Sequence, residues 1–437
     1  MKTRRTTLAR LLVVAFVGSL FAAACQGGGT PAPGSPTPGG EIKIGGLATL
    51  EGPFAVPGQD SFRGMELALN EFKNSAGQWE VAGKKITLIK EGSDATPDVA
   101  LAKAKKLIEQ DNVDILIGPL SGDEGLLAIK PYAKQNPEKT FINGSSAAQD
   151  TTFRDPAPNF FRFSTDGAQW QAGLGTYAYD VEGYRRMALV AEDYSFPYTQ
   201  VGGFMYEFCA KGGHVVQKFW VPLGTKDYSA VVSGIPADID ALYVALGGAD
   251  AINFLSQYQA AGGKAPMVGG SITVDQTVLG AKAEIPEEYI IGTPSAGPIA
   301  DSNDEPAWLA FVKAYQDAWP ADQRLPSPSL FAHAYYIETK AALLALKEVN
   351  GDLSGGQKKF MEALSKLKFD TPTGPVSLDA NRNAIANQYV TIVAKKDDGT
   401  LYNKVQSVTK NVDQTLGLGR DNALFAKPVG RDFPDCP

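Results

Sequence analysis

Five stretches of this chain carry residues suited to holding a small polar molecule. Ser121 stands before a helix-spaced segment that starts near Gly122, and Ser145, Ser146 and Ala147 follow the strand-like run Thr140–Asn143. A hydroxyl at a helix start, beside N–H groups with no intrahelical acceptor, can hold a carboxylate; the same serines can instead cap helices. Tyr194 and Phe196 follow another strand and can close over a ligand or lie as lids on the core. Phe54, in the loop Thr49–Phe54, and Gly270 with Ser271, in a later strand-end loop, complete the set of candidate contacts. Gly, Ser and aromatic residues at strand ends suit close backbone approach, hydroxyl hydrogen bonds and an apolar wall.

Covalent chemistry has few footholds here. The chain has two histidines, His214 and His333, and three widely spaced cysteines, so a zinc site of close Cys/His pairs is not expected. His333 reads as a partly buried helix residue, and Trp170, Tyr177 and Tyr179 as packing residues on a helix. The acids Glu192 and Asp193 read as a solvated rim with no second pair to make an acid/base dyad. No Walker A, GxGxxG or GxSxG pattern occurs; GPLSGDEG lacks the phosphate-loop spacing and its Lys. No cofactor, metal or catalytic residue is expected.

The 437 residues allow two to three domains, and 44% hydrophobic with 20% charged residues fits a soluble folded protein. Lys+Arg number 41 against Asp+Glu 48, net −7, without a basic run, which argues against nucleic acid as partner. Residues 1–24 read as a secretory signal: Lys2, Arg4, Arg5 and Arg10, the apolar run Leu11–Leu20, then Ala22–Ala24 before Cys25. Small residues running into Cys25 resemble a bacterial lipobox, which implies lipid on that thiol, although Ala22 replaces the usual Leu. The following QGGGTPAPGSPTPGG is uncharged and rich in Gly and Pro, a tether over 25–40. With Cys25 lipidated in an oxidising compartment, parity favours a Cys209–Cys436 disulfide over two free thiols.

These loops need a scaffold, and the hydrophobic pattern supplies one. EIKIGGLA reads as a strand and SFRGMELALNEFKN as a helix; strands at 85–90, 113–118 and 140–143 alternate with helices at 97–110 and 122–136. A second series follows: helix 168–181, strand 186–192, helix 198–212, strand 214–220, helix 229–236, strand 241–246, helix 249–262 and strand 267–269. Residues 288–298 read as a strand entering a turn. Helices at 305–319, 329–349 and 357–367 follow, then a hairpin of 387–395 and 401–407. The fold class is α/β, two doubly wound parallel-sheet units, with ligands expected beyond the carboxyl ends of the strands.

The runs IKIGGLATLEGPFAVPGQDSFRGMELALNEFK, VDILIGPLSGDEGLLAIKPYA, TFINGSSAAQD, FFRFSTDG and PTGPVSLDANRNAIANQYVTIV occur in an order that resembles the substrate-binding proteins of branched-chain amino-acid ABC transporters. These are type I periplasmic binding proteins similar to the Leu/Ile/Val-binding protein, and the likeness spans about residues 41–410. It implies two lobes joined by a three-crossover hinge, lobe one at 41–163 and 293–386 and lobe two at 164–292 and 387–412, with 413–437 an extension. It also implies a lipid-anchored extracytoplasmic monomer that captures a ligand between its lobes for an ABC permease. The family's carboxylate-holding loops map onto Ser121 and Ser145–Ala147. The family's amino-acid binders carry an acid on the loop that here reads Gly269–Thr273, whereas the nearest acid here is Asp275. The expected ligand is therefore an amide, an organic or aromatic acid, or an amino acid held otherwise, through Glu51 for example. A sensory receptor of the same fold and, more remotely, a secreted hydrolase are the alternatives.

Overall fold

A computed structural model describes residues 40–281 and 284–436. The proposed signal, Cys25 and all of the tether but Gly40 lie outside the described residues. The first sheet contains β1 (Glu41–Thr49), β2 (Glu80–Val81), β3 (Lys84–Ser93), β4 (Ile115–Ile117), β5 (Thr140–Ile142) and β6 (Phe160–Phe161), in the order β2-β3-β1-β4-β5-β6. β1 pairs in parallel with β3 and β4, so Ile44 lies opposite Leu88 on one side and Ile115 on the other. Parallel strands covered by helices on both faces explain why these strands are near-continuous apolar runs.

One face of this sheet packs on the helices Ala55–Asn70 and Leu330–Glu348, where Met65, Leu69, Ala332, Tyr335 and Leu346 are fully buried with Ile44 and Ile115. Burying each large side chain contributes about 1.5–3 kcal/mol. Leu107, Ile129 and Phe141 fill the opposite face. Helix Leu330–Glu348 starts where Ser329 Oγ accepts from the Ala332 N–H at 3.1 Å, an N-cap.

The second sheet is built of β7 (Arg186–Glu192), β8 (His214–Val221), β9 (Ala241–Ala245), β10 (Met267–Gly269), β11 (Pro294–Gly297), β12 (Phe369–Thr371), β13 (Gly374–Leu378), β14 (Ala384–Lys395) and β15 (Leu401–Val412). Its order is β12-β13-β14-β11-β10-β9-β7-β8, with β15 on β14. The chain thus leaves the first half after β6, builds β7–β11, returns to lay the helices Pro306–Ala318, Leu330–Glu348 and Lys358–Lys366 on the first core, and crosses back into β14. Buried Arg162 ties two of these crossings: its Nε donates to Asn383 Oδ1 at 2.6 Å and its guanidinium to Ala148 O at 2.8 Å.

Several elements differ from their expected form. The stretch 168–181 is two short helices, Gly167–Trp170 and Leu174–Asp180, because Gly173 takes φ +88°, a left-handed conformation that interrupts the helix. Residues 288–298 are a helical turn Glu287–Ile290 followed by β11. β11 pairs with β10 and β14, so 294–297 belong to the second sheet rather than to the first-lobe segment 293–386. The terminal hairpin is longer than its alternation suggested, since β15 runs on to Val412 opposite Ala386.

Cys209 and Cys436 are joined by a disulfide, with Cα atoms 5.7 Å apart. It fixes the last residues along helix Ser195–Ala210 and β8, where the Val215 N–H donates to Cys436 O at 2.9 Å. Upstream, Phe425 packs between Phe153 and Tyr206, tilted on the first and edge-on to the second, and Arg154 donates to Phe425 O at 2.6 Å. Among the described residues no helix is long and apolar enough to cross a membrane.

Candidate functional site

Strand ends of both sheets converge on one narrow cavity. Phe54 reaches it from the turn after β1, Leu120 and Gly122 from the loop after β4, and Ser145 from the loop after β5. Tyr194 and Phe196 enter after β7, and Ile272 after β10. Trp170 and Phe331 complete the wall. Phe54, Trp170, Tyr194 and Phe196 pack into one buried cluster, with the Trp170 and Phe196 rings 5.3 Å apart.

The structure therefore brings Phe54, Ser145, Tyr194 and Phe196 onto one wall. It does not put Ser146, Gly270 or Ser271 there. Ser146 Oγ sits against Gly125 in the next helix. Ser271 Oγ accepts from Gln200 Nε2 at 2.5 Å, and Gly270 lies against the same amide. Ala147 is buried in the cluster, and Ser121 lies at its edge beside Leu120. Trp170, Leu120, Gly122, Ile272 and Phe331 were not among the expected contacts. For Trp170 no local signal marked the break at Gly173, which turns a long packing helix into a short one ending at the cleft.

The backbone N–H groups expected to cradle an anion are already engaged. Ser145 and Ser146 both donate to Pro119 O at 3.2 Å, and Ser121 N–H donates to Glu124 Oε2 at 2.9 Å. What remains without a protein partner is the side-chain set: Ser121 Oγ, Ser145 Oγ, Ser195 Oγ and Trp170 Nε1 are all buried and unsatisfied. Such groups are costly in a dry core and point to a polar ligand atom that completes them.

Acids surround the site without lining it. Glu192, expected on a solvated rim, is fully buried at the end of β7 and accepts the Gly247 N–H at 2.9 Å. Burial drives its carboxyl well above the ordinary range. Asp193 is engaged by Arg431 and Tyr198. Glu51 is exposed outside the cavity. Glu124 is pushed up to about 7 by burial, against the lowering effect of its hydrogen bonds from Ser93, Ser121 and Thr49. His333 is fully rather than partly buried; burial lowers it to about 3, so it is neutral, with Nε2 3.2 Å from Thr373 Oγ1. No cluster of three or more His, Cys, Asp or Glu able to hold a metal occurs among the described residues.

The two halves meet around the cavity in a closed arrangement. Asp123 of the first half accepts the N–H of Ser195, the first residue of a second-half helix, at 3.0 Å. A Cβ on Gly122 would lie 2.7 Å from Phe196 Cβ, and one on Gly248 would lie 2.1 Å from Pro53 O. Glycine at these points is what permits backbone contact across the cleft.

A family model described as periplasmic binding protein matches residues 41–400. Leu/Ile/Val-binding protein homolog 6 of Brucella melitensis is 26% identical over 388 residues, 86% of this chain and 93% of that one. Among solved structures, an ABC transporter substrate-binding protein from Sphaerobacter thermophilus is 31% identical with TM-score 0.74, covering 86% of this chain and 99% of that one. A solute binding protein of an ABC transporter from Rhodopseudomonas palustris BisB5, in complex with 3,4-dihydroxybenzoic acid, is 25% identical with TM-score 0.76, covering 86% and 98%.

Proposed function

Because the chain belongs to the periplasmic binding protein family, as an extracytoplasmic substrate-binding protein of the ABC-transporter type, we propose that it captures a small aromatic carboxylate between its two halves and hands it to a membrane permease. The observation that carries this reading is the composition of the cavity wall. It holds the rings of Phe54, Trp170, Tyr194, Phe196 and Phe331 and no charged side chain. Ser145 on the wall, and Ser121 and Ser195 beside wall residues, carry buried hydroxyls left without a partner, each able to donate. Hydroxyl donors suit a carboxylate, and rings suit a flat apolar body. An α-ammonium would need an acid on the wall, and none is there.

The capture cycle follows from the closure contacts. A ligand bridging Ser145 of the first half and Tyr194 and Phe196 of the second stabilises the closed state by its differential affinity for it. The reading extends to Cys25 as the lipid anchor, Gln26–Gly40 as the spacer and a monomer as the working form; Cys25→Ser is expected to release the protein from membranes. The central test is calorimetry of the body from residue 40 with benzoate, 4-hydroxybenzoate, leucine and isoleucine. Binding of the aromatic acids with micromolar or tighter dissociation constants supports the reading. Binding of the amino acids alone would sink it.

A further inference from the structure

Behind Trp170 lies a second small cavity, at the place where the chain crosses between the halves. Thr165 of the first crossing, Pro298 of the second and Gln388 of the third line it, with His333 and Thr373. Trp170 is a wall of both cavities, and the first turns of helix Leu330–Glu348 run past both, Phe331 on one and His333 with Ala334 on the other.

The rear space differs in chemistry from the front. None of its lining residues is Asp, Glu, Lys or Arg, and His333 is neutral there. A carboxylate placed in it would be an uncompensated buried charge, so the acid end of a ligand belongs at the serines. Yet the rear space is not purely apolar. Gln388 is fully buried; its Nε2 donates to Thr165 Oγ1 at 2.9 Å, and its Oε1 has no partner. Trp170 Nε1 is likewise buried and unpartnered. One acceptor and one donor are therefore left over on residues that line this space, and a hydroxyl group, which donates and accepts at once, is the neutral group suited to both.

We propose that Trp170 divides a two-compartment ligand site, and that the rear compartment recognises a neutral ring hydroxyl of the ligand through Gln388 Oε1 and Trp170 Nε1. The inference rests on the aromatic-carboxylate reading and makes it narrower: the substrate class is hydroxylated aromatic acids. Trp170 and Gln388 become specificity-determining residues, since a site built to pair a hydroxyl leaves its own buried groups unpaired when the analogue lacks one.

Calorimetry of the wild-type body, Gln388→Leu and Trp170→Phe with benzoate and 4-hydroxybenzoate tests this. The wild type is expected to bind the hydroxylated acid about tenfold more tightly than benzoate, the upper range for one neutral hydrogen bond. Gln388→Leu should bring that ratio close to one while leaving benzoate binding within about threefold, and Trp170→Phe, which keeps a ring but loses the N–H, should lower it part of the way. A crystal structure of the wild type with 4-hydroxybenzoate supplies a readout that does not depend on the variants folding, with the hydroxyl expected within hydrogen-bond distance of Gln388 Oε1. Equal wild-type affinities for the two acids, a ratio unmoved by both variants, or a hydroxyl facing elsewhere overturns this inference and leaves the aromatic-acid reading standing. If neither acid binds, both fall together.

Discussion

The Asp275 carboxylate, from the loop after β10, accepts the backbone N–H of Leu330, the first residue of a helix in the opposite half, at 2.8 Å. Asp123 does the same in the reverse direction for Ser195. Each half thus lends a carboxylate to a helix start in the other, where unpaired N–H groups and the helix dipole favour negative charge.

The Asp275 contact gives closure a pH dependence. Asp275 is pushed up from 3.8 to about 7, first by burial, against hydrogen bonds from Leu330 and Thr277 and with Asp60 adding repulsion; Asp60 itself is paired with Arg63 at 3.0 Å. A raised carboxyl holds a proton in the closed form that it releases on opening, so closure is most favoured below the ordinary carboxylate pKa near 3.8 and weakens progressively as pH rises to about 7. Small-angle scattering of the ligand-free body at pH 5.5 and 8 should show the more compact form at the lower pH. Asp275→Asn should flatten the difference, and an unchanged pH response in that variant would remove Asp275 as its source.

Ser145→Ala is expected to weaken aromatic-acid binding by about 10- to 100-fold, the range for a hydrogen bond to a charged group. Its melting temperature without ligand should hold or rise, because Ser145 Oγ has no protein partner to lose. Titration and a thermal melt on the same preparation separate the two effects.

Gly122→Ala tests closure by adding a single methyl group where the two halves meet. Its Cβ would stand 2.8 Å from the Phe196 backbone nitrogen across the cleft. Each half should fold as before, while affinity drops and the ligand-induced contraction seen by scattering is lost.

Removal of the disulfide by Cys209→Ser with Cys436→Ser is expected to cost about 2–4 kcal/mol, given that the bridge spans 227 residues of sequence. It should also speed tryptic cleavage after Arg431, as the freed tail becomes mobile, which a timed digest would show. An unchanged melting temperature and digest would mean that the Phe425 cluster alone secures the tail.

The alternation of strands and helices was legible because each element has one strong period, as in SFRGMELALNEFKN. The breaks were not. Gly173 reads like any helix-interior glycine until its left-handed φ is seen, and the placement of β11 depends on pairing with β14, nearly a hundred residues away. At the site, loop residues such as Phe54, Ser145, Tyr194 and Phe196 could be found from strand ends. Glu192 could not be placed as buried, because what covers it is the Gly247 backbone, a long-range contact with no local signature.

The first sheet's core is assembled from β1–β6 and from helices that come more than a hundred residues later, with all of β7–β11 between them. As the chain is synthesised, the amino-terminal half lacks Trp308, Tyr315, Tyr335 and Leu346, the large residues that seal one face of its sheet. Loop closure over such distances comes late and slowly. A polypeptide that must cross a membrane before it folds is served by this order of assembly, since neither half can be completed until most of the sequence has emerged.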